Sequence, residues 1–177
     1  MYFAGKIFPI SRLFVYIIGV SYYEFVTIWN LDAPIENVWD EIKNSESWPE
    51  WWKGVLRVVE IEPGDADGLG AIHRSTWKSA LPYTLEFDSE IIHIERPNLI
   101  EARAFGELNG KGLWQFEKAG DKMTRVRYDW KVEATKPWMR YLSPVAKPLF
   151  RWNHDVIMGW GENGLRKRLN SPIISLV

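Results

Sequence analysis

The feature that most constrains this chain is a series of turn signals between Val55 and Glu133. The segments "EPGDADGLG", "SALP", "RPN", "ELNGKG" and "KAGDKM" are each loaded with Gly, Pro, Asn or Asp, the residues whose backbone preferences and local hydrogen bonds favour turns. The stretches between them, rich in β-branched and aromatic residues, read as strands at roughly 55–62, 70–78, 82–94, 98–106, 111–118 and 123–134. Strands in series joined by short connections pair with their neighbours, so an antiparallel meander is expected. A seventh strand is expected upstream in "YYEFVTIWNL", residues 22–31.

Helical periods flank the meander. In "DAPIENVWDEIKN" Asp32 or Ala33 is expected to cap, Pro34 to sit in the first turn, and Ile35, Val38, Trp39 and Ile42 to share a buried face. "SESWPEWWKGV" follows with three of the eleven tryptophans of the chain. A short helix here would put Trp48, Trp51 and Trp52 on one face, with Pro49 in its first turn. Residues from about 145 to 169 read as one long helix, with Pro137, Pro144 and Pro148 at its approach and Pro148 marking its first turn or a kink. The order predicts an α+β fold: a curved, seven-stranded antiparallel sheet wrapped around a long C-terminal helix, with two short helices between the first and second strands.

The 177-residue length suits one domain with a sizeable core. Basic and acidic residues nearly cancel, 22 against 23, which leaves no electrostatic footprint for nucleic acid. There is no cysteine, which removes disulfides, thiolate metal sites and cysteine nucleophiles together. Residues 1–20 form an apolar extension in which Lys6 and Arg12 precede the run from Leu13 to Val20. That run is about half of the roughly 20 residues that a membrane span needs. Three readings stay open for it: an extra strand or cover packed on the domain, a loose extension, or a targeting or anchoring segment that touches a membrane. The expected organisation is therefore an extension at 1–20, a single domain at 21–170 and a tail at 171–177, in a cytoplasmic protein.

The segments "LDAPIENVWDEI", "WPEWWKGV", "GLGAIHR", "LPYTLEF", "IERPNLIEARAFGELNGKGLWQF", "TRVRYDWKV" and "NHDVIMGWGENGLRKRL" resemble the START-related (SRPBCC) superfamily. This includes the birch-pollen allergens and the polyketide cyclase/dehydrase and lipid-transport proteins. The resemblance covers about residues 24–169 and implies the helix-grip fold. It does not by itself assign a reaction, since such folds host carriers, cyclases and receptors alike.

Strand alternation against charge separates the two faces of the sheet. It turns Ala71, His73, Ser75 and Trp77 inward, then Tyr83, Leu85, Phe87 and Ile91. It also turns Ile100, Ala102, Ala104 and Gly106 inward, then Gly112, Trp114 and Phe116, and last Val126, Tyr128, Trp130 and Val132. Large rings thus alternate with a patch of small residues, and the long helix is thin as well, at Gly159, Gly161 and Gly164. Two readings follow: close helix–sheet packing, or an apolar pocket. The residues expected to meet a ligand are His73, Ser75, Trp77, Tyr83, Phe87, Trp114, Tyr128, Trp130, Asn153, His154 and Trp51. Either one of Trp48, Trp51 and Trp52 packs inward as a lid while another anchors the helix pair, or the three are plain core packing.

His73 is also the candidate general acid/base, with Tyr83 or Tyr128 polarising a carbonyl. His93 shares the alternation of Tyr83, so a three-histidine site from His73, His93 and His154 is possible by count, but no His-x-x-x-His or Glu/His pairing supports it, and no metal or cofactor is expected. "NHD" at 153–155 is no triad, because adjacent helical residues point in different directions. "RKR" at 166–168 is expected to face solvent and complement the helix dipole. The expected function is binding of a small hydrophobic or amphipathic molecule, a lipid, aromatic or polyketide-like compound, as carrier or sensor. The alternatives are a cofactor-independent cyclase/dehydratase and an interaction module with a filled core.

Overall fold

The computed structural model describes residues 22–170, and the side chains of all of these except 140–146. The expectations for the extension at 1–20 and the tail at 171–177 lie outside the described residues. The chain runs through β1 (Tyr22–Leu31), α1 (Ile35–Lys43), a 3-10 turn (Ser45–Ser47), α2 (Trp48–Trp51) and β2 (Val55–Glu62). Next come β3 (Ile72–Lys78), β4 (Thr84–Glu95), β5 (Leu99–Gly106), β6 (Leu108–Gly120), β7 (Met123–Ala134) and α3 (Pro137–Asn170). The strands form one antiparallel sheet in the order β1-β7-β6-β5-β4-β3-β2. β1 and β2 are therefore opposite edges, and the segment between them must cross from one edge to the other. α1, the 3-10 turn and α2 make that crossing and close one end of the curved sheet, while α3 packs into it. This is the helix-grip arrangement that the sequence predicts. No helix among the described residues is long and apolar enough to cross a membrane.

α1 forms because Ile35, Val38, Trp39 and Ile42 fall on one buried stripe. Its N-cap is Pro34 rather than Asp32 or Ala33, and no side chain caps it. The Pro34 carbonyl accepts the first helical bond, from the Val38 amide at 3.2 Å. The tryptophan helix is also shorter than expected. Trp52 leaves it in an extended conformation, φ −101° and ψ 97°.

Three further differences have physical causes. α3 starts at Pro137, about two turns before the expected start, and its backbone continues through Pro144 and Pro148. Prolines inside a helix cost stability, but burial of Met139 and Phe150 in a cluster with Tyr23, Leu108 and Val132 holds the early turns. β6 starts at Leu108, inside the segment read as a turn. There a Cβ on Gly110 would lie 2.1 Å from the Lys131 carbonyl oxygen, so only glycine lets the two backbones pair. Arg166 and Arg168 do not simply face solvent. Arg168 donates to Glu41 of α1 and Glu50 of α2, each at 2.6 Å, and Arg166 donates to the Asn30 carbonyl at the end of β1.

The glycines of α3 settle what thinness is for. A Cβ on Gly164 would lie 1.8 Å from the Trp51 carbonyl oxygen, and one on Gly161 would lie 2.4 Å from the Trp52 ring. The helix is thin at these two positions so that α2 and its indoles can approach. Gly159 differs, since an added Cβ there would meet nothing within 4 Å. Gly159→Ala is expected to stabilise the protein by up to about 1 kcal/mol, through helix propensity alone. Gly164→Ala is expected to destabilise it by about 1–3 kcal/mol or more, through overpacking against backbone. Chemical denaturation of the two variants checks both signs.

Candidate functional site

Two cavities lie on the concave face of the sheet. The larger, about 550 Å³, lies between β2–β5 and the α1–α2 segment, and Ala71, His73, Ser75, Ser89, Ile91, Ile100 and Ala102 contribute to its walls. The smaller, about 130 Å³, lies against α3 and is walled by side chains that include Tyr23, Phe25, Tyr83, Leu85, Phe150, Asn153 and His154. Trp48, Trp77, Phe87, Trp114, Tyr128 and Trp130 line both.

These six rings form a closed circuit. Ring centroids lie 6.0 Å apart for Trp48–Trp77, 6.5 Å for Trp77–Phe87 and 5.8 Å for Phe87–Trp130. The circuit continues at 5.7 Å for Trp130–Tyr128 and 3.9 Å for Tyr128–Trp114, and closes at 6.4 Å for Trp114–Trp48. All but one of these spacings fall within the roughly 4.5–7 Å of favourable aromatic pairs, and the stacked Tyr128–Trp114 pair is closer still. The result is an aromatic collar between the two spaces. Gly112 makes it geometrically feasible, because a Cβ there would lie 2.6 Å from the Tyr128 hydroxyl and 2.9 Å from the Trp130 ring. The small-residue patch thus has two roles: Gly112 admits the rings, whereas Ala71 and Ala102 face open space.

The expected ligand residues separate accordingly. His73 and Ser75 line the larger cavity; Tyr83, Asn153 and His154 line the smaller; and Trp77, Phe87, Trp114, Tyr128 and Trp130 belong to the collar. Trp51 lines neither, and its backbone instead carries the close approach to Gly164. Of the other two tryptophans of this segment, Trp48 lines both cavities and Trp52 the smaller. Trp52 is 1% exposed, its Nε1 donates to the Ile157 carbonyl of α3 at 2.8 Å, and its ring meets Trp77 at 5.1 Å. Sequence reading also missed the rim of the larger cavity, where Asp40, Lys43, Asn44, Ser45, Glu46 and Glu60 gather, because no local pattern reports that the 3-10 turn faces β2 and β3. His93 shares the alternation of Tyr83, but a bulge in β4 between Ile91 and His93 reverses the alternation. Its Nε2 pairs with Glu95 at 3.0 Å, and its side chain is half exposed.

Hydrogen bonding then decides which polar groups are spare. Asn153 is engaged at both ends of its amide. Its Oδ1 accepts from the Ser79 hydroxyl at 2.7 Å and the Ala80 amide at 2.8 Å, and its Nδ2 donates to the Tyr83 hydroxyl at 3.3 Å. This latch holds the β3–β4 connection on α3. Ser75 Oγ accepts from Trp77 Nε1 at 3.0 Å. Tyr128 is different: burial pushes its pKa well up, and no hydrogen bond offsets that burial. His154 stacks on Phe25 at 4.2 Å, and its buried Nε2 has no hydrogen-bond partner. Burial also lowers the pKa of His154 and of His73, in the latter against the opposing pull of Glu46 and Glu60. His73 Nε2 lies 3.9 Å from Glu60 Oε2.

Residues 26–169 match the family described as polyketide cyclase / dehydrase and lipid transport. The chain belongs to that family. No curated protein matches it in sequence. Among solved structures, a START superfamily protein from Mycobacterium smegmatis superposes with a TM-score of 0.68 at 13% identity, over 82% of this chain and 96% of that one. The Zhui aromatase/cyclase from Streptomyces sp. R1128 gives 0.69 at 12%, over 84% and 93%. A protein from Thermus thermophilus gives 0.65 at 20%, over 84% and 100%. At these identities the shared property is the fold, and this family member's own side chains must supply the argument for function.

Asn153→Ala is expected to cost about 1–3 kcal/mol, because it strands the Ser79 hydroxyl and the Ala80 amide in the interior. Tyr83→Phe removes only the longest bond of the latch and is expected to cost about 1 kcal/mol or less. Urea denaturation of both variants tests the ranking.

Proposed function

We propose that this family member binds one small, largely apolar molecule in the larger cavity, with an oxygen-bearing group hydrogen-bonded to Tyr128. The ligand class is a lipid, an aromatic or a polyketide-like compound, and the role is that of carrier or sensor. The observation that supports this reading is Tyr128, a residue that lines the cavity of about 550 Å³ as well as the smaller one and whose hydroxyl has no internal hydrogen bond to offset its burial. A buried hydroxyl without a partner costs stability unless a ligand or water pairs it. The volume lies inside the roughly 300–1,000 Å³ usual for small-molecule sites. The rim is polar while rings and small apolar side chains make up much of the interior beside His73, Ser75 and Ser89, an arrangement that suits an amphipathic guest. The interaction-module alternative predicts a filled core, and the open volume on the concave face supports the binding reading over it.

One observation favours a second reading, turnover of the bound molecule. His73 and Tyr128 line the same cavity, and burial favours the neutral form of each. A neutral imidazole can take a proton from carbon while a phenol polarises a carbonyl, as cyclisation or dehydration requires. The solved Zhui structure is that of an aromatase/cyclase, which is compatible with this chemistry in this fold.

Native mass spectrometry of fresh protein, with extraction of anything released, identifies the guest. Ala102→Trp is expected to obstruct the larger cavity and reduce uptake, and undiminished uptake would place the guest elsewhere. Tyr128→Phe is expected to weaken an oxygenated ligand by roughly tenfold, the worth of one hydrogen bond, while leaving a hydrocarbon probe unchanged. Turnover that His73→Ala removes without loss of binding would move the enzymatic reading to the front.

A further inference from the structure

Three polar side chains from three separate elements converge at the rim of the larger cavity: Glu46 from the 3-10 turn, Glu60 from β2 and His73 from β3. One ligand atom of each lies within 4.8 Å of one from the others. Among the described residues neither carboxylate pairs with a Lys or Arg, and the contact between Glu60 and His73 at 3.9 Å is longer than a hydrogen bond. The other rim cation, Lys43, is near enough for its charge to act on His73 but makes no salt bridge to either carboxylate. Two carboxylates held this close repel, and a cation between them relieves the repulsion. An imidazole completing the set selects against purely oxygen-seeking ions.

We propose that Glu46, Glu60 and His73 bind one divalent transition-metal ion, of which zinc is the best fit. The donor set is two carboxylate oxygens and one imidazole nitrogen, with no sulfur, which suits Zn²⁺ or Mn²⁺ and disfavours soft ions. Three protein donors leave at least one coordination position for water or a guest, as in zinc sites that act on a bound molecule. All three residues also line the larger cavity, so that position opens onto it. The ion would then take an oxygen of the guest's polar end. That last step rests on the binding reading above, whereas the ion site itself does not.

The test is calorimetric titration of untagged, chelator-treated protein with Zn²⁺, without any apolar ligand. One equivalent per chain is expected, with Mg²⁺ bound far more weakly. His73→Ala, Glu60→Gln and Glu46→Gln should each lower the zinc affinity by at least about tenfold, since even outer-shell changes at metal sites cost about 10–100-fold. His93→Ala and His154→Ala, folded by circular dichroism, should leave it unchanged. X-ray absorption of the loaded wild type gives a readout that needs no variant: one imidazole nitrogen within an oxygen shell supports the site. Absence of stoichiometric uptake, uptake that survives the His73→Ala/Glu60→Gln double variant, or a shell with several imidazoles would overturn it. Zinc uptake by protein that binds no apolar guest would sustain the ion site while defeating the binding reading.

Discussion

The fold depends on where one indole sits. The Trp52 ring lies between 5.1 and 6.4 Å from those of Trp29 on β1, Trp48 and Trp51 on α2, Trp77 on β3 and Trp114 on β6. Its Nε1 donates to the backbone of α3. A single side chain thus joins one sheet edge, the middle of the sheet, the closing segment and the long helix. Indole suits that position because it offers a large apolar area with one donor at its edge. Gly161 pays for the contact in helix propensity, since any side chain there would strike the Trp52 ring.

Packing that end so densely leaves the space elsewhere. Rings gathered on Trp52 and the collar cannot also fill the bowl of β2–β5, where Ala71 and Ala102 are too small to do so. Interiors of proteins are ordinarily close-packed, so a cavity of this size forfeits dispersion contacts that a filled core would have made. The polar groups tell the same story. Where the protein has no further use for them, as in the Ser79–Asn153–Tyr83 latch, they satisfy one another. Tyr128, His73 and the rim carboxylates Glu46 and Glu60 are not paired off in that way, and each of them lines the larger cavity.

Much of this was legible in the chain. Turn residues marked the meander, and the inner faces of β3, β5 and β7 could be read from alternation, because a strand that buries one face must repeat with period two. The stripe of α1 was legible for the corresponding helical reason. His93 was misplaced because a bulge inserts one residue into β4 and reverses the pattern beyond it, and nothing local in "IIHIE" announces it. The start of α3 was misplaced because proline raises the local cost of a helix, a cost that the burial of Met139 and Phe150 outweighs.

What the sequence determined by itself was therefore whatever repeats along the chain: strand, helix, face and family pattern. What only the tertiary structure decided was which tryptophan enters the interior, which glycine makes room for a ring and which for backbone, and which polar groups find partners. These depend on distances between residues far apart in sequence, such as Trp52 and Ile157 or Glu46 and His73. A local period carries no information about such distances, and they exist only once the sheet has curved and the long helix has closed on it.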